Sequence, residues 1–429
     1  MNSLQTSIHR WLLISIVILT VVAIPACAPA TSSNQPLPAT MVSNREEVII
    51  TTVPEAATPT PTPQPSEPVR IESRPGTPYL TDETIYFGTE RGVFYALDRG
   101  TGEEKWRLPT GAANLNRPIV VEGIVYTGGQ NGVLYAVDAV TGTVQWQFEA
   151  GQVDWSIRDK FINGTPTVLD GTIYFSSEDF NVYAVDATTG VERWRFTLDE
   201  EPQAFELPIV DGIAYIGTWG GSLYAIDVTT GTEVWRAQIS NGSQVTNADG
   251  ERAGNQVAYV TAVPLVIEDM VYVTDWSGQL TAVNRHNGQI IWQFQPQTID
   301  ARHVGSRTSF VAHDDVLYYA TIEDKHLYGV DRHTGEKVWE FGADGWLYGP
   351  FPGMNDIVLV IEFPLSDSGG PEGMILHGFS LSTREFLWTN ENIASLPWVD
   401  EGVVYMGGLD GTLYSLDLRN GDVVWQLGR

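Results

Sequence analysis

Cysteine is nearly missing: Cys27 is the single one among 429 residues. A lone thiol excludes an internal disulfide framework and any multi-cysteine metal site. Positive charge is also scarce. Twenty-four Lys and Arg stand against 53 Asp and Glu, for a formal net charge of −29. So acidic a surface repels phosphates, which sets nucleic acid aside as a partner and suits a soluble domain outside the cytoplasm. The seven His are scattered, and His326 and His333 fall in one repeat on different elements. Structural or surface roles are expected for them, and no metal site. No Gly-x-Ser-x-Gly, His-Glu-x-x-His or P-loop pattern occurs. The apolar run 11–26 is shorter than the roughly 20 residues of a membrane helix.

That run follows Arg10 and has the build of an export signal, with a short uncleaved anchor as the alternative. It ends Ile24-Pro25-Ala26-Cys27, which resembles a bacterial lipobox. The resemblance implies a signal peptide over 1–26, cleavage before Cys27 and lipidation of its sulfur. The chain would then be anchored on the outer face of the cell membrane or on an outer membrane. Residues 27–76 form a stalk in this reading. ATPTPTPQPSEP at 57–68 is proline-rich, and the segment holds few large apolar residues with which to bury a core. EVIITTV at 47–53 is the exception and reads as a strand.

From 77 to 429 one phrase recurs. GVFYALDRGTGEEKW (92–106), GVLYAVDAVTGTVQW (132–146) and GSLYAIDVTTGTEVW (221–235) are near-copies. Its tryptophans are Trp106, Trp146, Trp194, Trp235, Trp292, Trp339, Trp388 and Trp425, spaced 37 to 57 residues apart. Eight residues before each stands Asp, except for Asn284 and Ser380. Four before stands Gly, except for Arg384. Fixed internal offsets with variable gaps signify a repeated supersecondary unit. Each unit parses into four short strands, in repeat 3 at 165–169, 172–176, 181–186 and 192–196. Both faces of most strands are apolar, so each sheet is covered on both sides. The fold class expected is all-β: an eight-bladed β-propeller of four-stranded antiparallel blades. A monomeric propeller is expected.

The phrase has physical parts. The Asp accepts hydrogen bonds from the turn after it, and the Gly supplies a positive φ there. The residue ten before each Trp is always small: Ala96, Ala136, Ala184, Ala225, Ala282, Gly329, Gly378 or Ser415. A small residue paired with an indole indicates blade-to-blade docking. Repeat 7 departs, with Ser380, Arg384 and the long turn FPLSDSGGPEGM, which predicts a looser blade.

Ala-x-Asp-x-x-Thr-Gly-x-x-x-Trp, as in Ala184 to Trp194, resembles the tryptophan-docking motif of PQQ-like (pyrroloquinoline-quinone repeat) propellers. That family holds quinoprotein dehydrogenases and also non-catalytic lipoproteins of the BamB-like group. The dehydrogenase branch implies PQQ with Ca²⁺ as cofactor and an adjacent cysteine pair. This chain lacks the pair, and its roughly 350-residue domain leaves little for enzyme loops. The reading is therefore no enzyme, no cofactor and no catalytic residue, with a quinoprotein-type redox enzyme as the alternative.

A non-catalytic site must lie on loops. The long connections 149–164, 238–263, 295–309 and 342–354 share one face with the turns between second and third strands. They carry Trp155, Arg158, Lys160, Arg302, Arg307 and Trp346, and the turns add Trp219 and Trp276. Aromatics with Arg are typical of contact surfaces. The expected role is a lipid-anchored binding scaffold for an extracytoplasmic or membrane protein, BamB-like assembly work being one version. A receptor for a small anionic or saccharide ligand is a further alternative. The convergence of these side chains in one funnel is the test of the face.

Overall fold

The computed structural model describes residues 71–427 except 72, 152–160, 163, 204–205, 241–244, 247–251, 255–258, 297–309, 322–324, 366–372 and 411. Among the described residues every regular element is a strand. Eight four-stranded antiparallel sheets form a propeller ring, their strands in chain order. A small hairpin, Val245–Thr246 with Arg252–Gly254, stands apart from them.

Blade 3 is typical, with strands Thr167–Leu169, Thr172–Ser177, Asn181–Asp186 and Glu192–Thr197. The first begins two residues later than the sequence suggests, after Pro166, which has no amide proton to give a ladder. The two middle strands are almost wholly buried because neighbouring blades cover both their faces. The fourth alternates exposed and half-buried residues, as befits an outer rim. The hydrophobic core is accordingly a set of layers between blades. One layer joins Leu134 and Ala136 of blade 2 to Phe175 and Tyr183 of blade 3. The ring closes where Ile85, Phe87 and Tyr95 of blade 1 meet Leu413 and Trp425 of blade 8.

The recurring phrase builds the joints. Asp138 Oδ1 accepts from the amides of Val140 and Thr141 at 3.0 and 2.7 Å, and these bonds lower its pKa. The turn they shape brings Gly142 to a φ of 71°. A Cβ there would stand 2.7 Å from Trp106 of the preceding blade, so conformation and space both demand glycine. Each Trp pairs in register with its small residue, as in Ala136↔Trp146 and Ser415↔Trp425.

The indole also donates across the joint: Trp106 Nε1 to Ala139 O at 3.0 Å, Trp194 Nε1 to Val228 O at 2.9 Å. A tyrosine of the second strand shares the acceptor. Tyr86 Oη donates to Ala139 O at 3.0 Å, and Tyr126 and Tyr272 act likewise beside Trp146 and Trp292. The sequence reading identified the Trp and missed the Tyr. At the seam, Tyr405 of blade 8 instead accepts from Arg99 Nη2 of blade 1 at 2.7 Å.

Blade 7 keeps four strands, Trp346–Met354, Ile357–Phe363, Ile375–Ser380 and Glu385–Asn390, with a continuous register between the middle two and register shifts at Tyr348/Phe351 and Phe351/Met354 between the first two. Ser380 replaces the turn aspartate, and Asp356 on the neighbouring hairpin accepts from Ser380 and Ser382. Arg384 takes the glycine position at a φ of 62°, and its guanidinium lies 5.2 Å from the centre of the Trp339 ring it covers.

Candidate binding face

The segment leading into each first strand and the turn between second and third strands are stitched together by backbone bonds. Glu90 N donates to Arg74 O, Gln130 N to Ala113 O, Glu178 N to Phe161 O and Trp219 N to Glu201 O. Trp276 N donates to Tyr259 O at 2.8 Å. The two kinds of loop therefore share one face, as expected. Trp219 and Trp276 occupy the same station in blades 4 and 5, where blades 1 to 3 have Glu90, Gln130 and Glu178.

Tyr259 joins the two tryptophans. Its ring centre lies 4.5 Å from that of Trp219 and 5.3 Å from that of Trp276, both edge-to-face. All three are half-buried. Beside them Glu200 accepts from the hydroxyls of Thr218 and Ser222, so the aromatic row has a fixed acidic flank. Tyr259 was not among the residues singled out from the sequence. Its signal was its place in the long connection 238–263, opposite a turn that already carried Trp276.

Trp346 opens the first strand of blade 7 opposite Phe363, at the end of the blade that carries these loops, and among the described residues no ring contact links it to Trp219 or Trp276. Trp155, Arg158, Lys160, Arg302 and Arg307 lie outside the described residues, as do Cys27, the signal and residues 27–70 of the stalk with its 47–53 strand. The end of the segment expected as stalk belongs to the ring instead: Ile71 packs in the seam between blades 1 and 8, Arg74 Nε donates to Ala394 O at 2.6 Å, and Pro75 bridges Thr89.

A second cluster was missed by sequence reasoning. Arg117 precedes the first strand of blade 2, Ile119–Val121, and is buried. Its guanidinium lies 3.5 Å from the ring centre of Trp398 in blade 8 and 4.7 Å from that of Tyr79 in blade 1. Glu206, just before the first strand of blade 4, is buried too and acts on Arg117 electrostatically. Arg117, Glu206 and Trp398 come from blades 2, 4 and 8, and Tyr79 from blade 1. Burial pulls the Arg117 guanidinium down to about 10, with Glu206, Tyr79 and Asp400 opposing. Burial pushes the Glu206 carboxyl up to about 7, with Arg117 opposing.

Ring closure, four-stranded blades and Trp-docked joints define a PQQ-like β-propeller. Residues 52–154 and 148–341 match the family model described as outer membrane protein assembly factor BamB, and the chain belongs to that family. Among solved structures it is similar to BamB from Moraxella catarrhalis, with 18% identity over 72% of this chain and 81% of that one, TM-score 0.50. The computationally designed Ika8 protein is 15% identical over 81% of this chain and 97% of its own, TM-score 0.60. A quinohemoprotein alcohol dehydrogenase from Pseudomonas putida is 16% identical over 84% of this chain and 67% of its own, TM-score 0.46. No curated protein matches the chain.

Among the described residues no group of three His, Cys, Asp or Glu side chains is placed to hold a metal ion.

Proposed function

We propose that this chain is a lipid-anchored extracytoplasmic propeller that acts as a non-catalytic scaffold for a protein or peptide segment. The observation that carries the reading is the Trp219–Tyr259–Trp276 row on the loop face. These half-buried aromatics stand at equivalent turns of adjoining blades, on the loop face and away from the docking tryptophans, and Trp and Tyr dominate binding hot spots. Membership in a family described as an outer membrane protein assembly factor supports a protein partner. Cys27 would carry the lipid, and the segment from there to about residue 70 would hold the ring away from the membrane.

A photo-crosslinking residue at Trp219 in the full-length chain, irradiated in native membranes, tests this. The expected result is a discrete protein adduct, with the purified partner binding the propeller and Tyr259→Ala/Trp276→Ala lowering that affinity more than tenfold. The same adducts at equal yield in that variant would refute the face. A Cys27→Ser chain that stays in the membrane fraction would refute the anchor.

A further inference from the structure

The aromatic row stands next to a carboxylate whose charge the ring does not neutralise. In blades 2, 3 and 8 the turn between second and third strands is capped by its own side chain. The amides of Val133, Asn181 and Thr412 donate to Asn131, Asp179 and Asp410 at 3.2, 3.1 and 3.0 Å. The same three side chains also meet the hydroxyls of Tyr135, Tyr183 and Tyr414 within their own blades. In blade 4 that station is Gly220, and a Cβ there would collide with the carboxyl group of Glu200. Glu200 reaches over the glycine from the segment that enters the blade. It accepts from Thr218 and Ser222, which flank the Trp219-Gly220-Gly221 turn. Both donors are neutral hydroxyls. Among the described residues no ion pair reaches Glu200, and Arg236 of the same blade pairs with Asp199 at 2.6 Å.

A negative charge fixed at the foot of an indole selects a cation on an apolar stem, because the charge meets the carboxylate while the stem lies on the ring. The wider face has the same sign. Among its described side chains Glu90, Glu178, Glu201 and Glu391 are acidic. The cations there besides the buried Arg117 are Arg74 and Lys325, which donate to the carbonyls of Ala394 and Asp344 at 2.6 and 2.8 Å, and Arg91. We propose that the face takes a basic segment of its partner, with an arginine laid on the Trp219–Tyr259–Trp276 row and paired with Glu200. Arginine suits the place better than lysine, since a planar guanidinium both stacks on an aromatic ring and gives two parallel N–H bonds to a carboxylate. This rests on the scaffold reading and names the chemistry of the segment held.

The test is fluorescence anisotropy of the full-length chain with three labelled ten-residue peptides of alternating Gly-Arg, Gly-Lys and Gly-Glu. The arginine peptide is expected to bind tightest, the lysine peptide more weakly and the glutamate peptide not at all, with binding that weakens as salt is added. Tyr259→Ala/Trp276→Ala should weaken the arginine peptide more than about tenfold. That variant keeps the net charge, so its loss reports the row and not general attraction to an acidic chain. Glu200→Gln, close in shape, should weaken it about fivefold, the upper range for a partly exposed pair. No binding of the arginine peptide, equal binding by either variant, or tighter binding of the glutamate peptide would overturn the proposal. Should the double variant fail to fold, the peptide series and Glu200→Gln still decide. A segment crosslinked at Trp219 that holds neither Arg nor Lys would overturn it and leave the scaffold face standing, whereas absence of any adduct would count against the face itself.

Discussion

Phenylalanine at Tyr86 and at Trp106, singly and together, probes the joint between blades 1 and 2. Both side chains donate to the buried carbonyl of Ala139, each at 3.0 Å. Tyr86→Phe removes one neutral hydrogen bond and should cost about 1 kcal/mol. Trp106→Phe removes the other and part of a buried indole that also stacks on Phe94, for about 2–3 kcal/mol. In either single variant the carbonyl keeps one donor. In the double variant it has none, and a buried unsatisfied carbonyl adds about 1–3 kcal/mol. The double variant should therefore be worse than the sum of the singles by at least about 1 kcal/mol. Urea unfolding followed by far-ultraviolet circular dichroism measures this, with a constant m-value as the check that one transition is compared throughout. Additivity within about 0.5 kcal/mol would refute the shared acceptor.

Two further substitutions address other parts of the ring. Gly329→Ala would place a Cβ 2.6 Å from Trp339 Nε1 in the same blade, and should cost about 1–3 kcal/mol in the same assay; an unchanged urea midpoint would contradict the packing. Glu206→Gln should remove a pH dependence: the Glu206 carboxyl titrates near 7 in the folded chain against 4.5 ordinarily, so its contribution is full below about 4.5 and is lost as pH rises to 7. The wild type should lose stability relative to the variant by on the order of 3 kcal/mol across that window, and parallel stability curves from pH 4 to 8 would contradict it.

The blade count and the docking tryptophans were legible because Asp, Gly and Trp recur at offsets fixed by one turn and one register. Tyr86 and its equivalents were not, because a Tyr in a β-rich run has the look of ordinary strand preference. Its second role depends on a carbonyl some 50 residues away. The aromatic row was half legible. Trp219 and Trp276 broke the polar habit of their turns, whereas Tyr259 gains meaning only once its segment folds back between them. The Arg117 cluster left a fainter trace. Arg117 is the charged residue at a station before proline that elsewhere holds Thr77, Thr165, Leu207, Val263 or Leu396, a single change in a short connection. Attention to long loops passed over it. The partnership with Glu206 could not be read at all, since it joins blades that are distant in both sequence and neighbour order.

The joints have a direction, with donors on one blade and the acceptor on the next. Trp388 of blade 7 donates to Leu418 O of blade 8, so a chain cut before blade 8 would present an unused indole at one end. At the other end, blade 1 would expose the apolar flank that Leu413 and Trp425 normally cover. Ends of opposite kind on every copy are the condition for open-ended head-to-tail assembly. A truncated product of this chain would thus be prone to polymerise rather than simply to unfold, and the eighth blade acts as the stop that keeps a fibre-forming contact within one molecule.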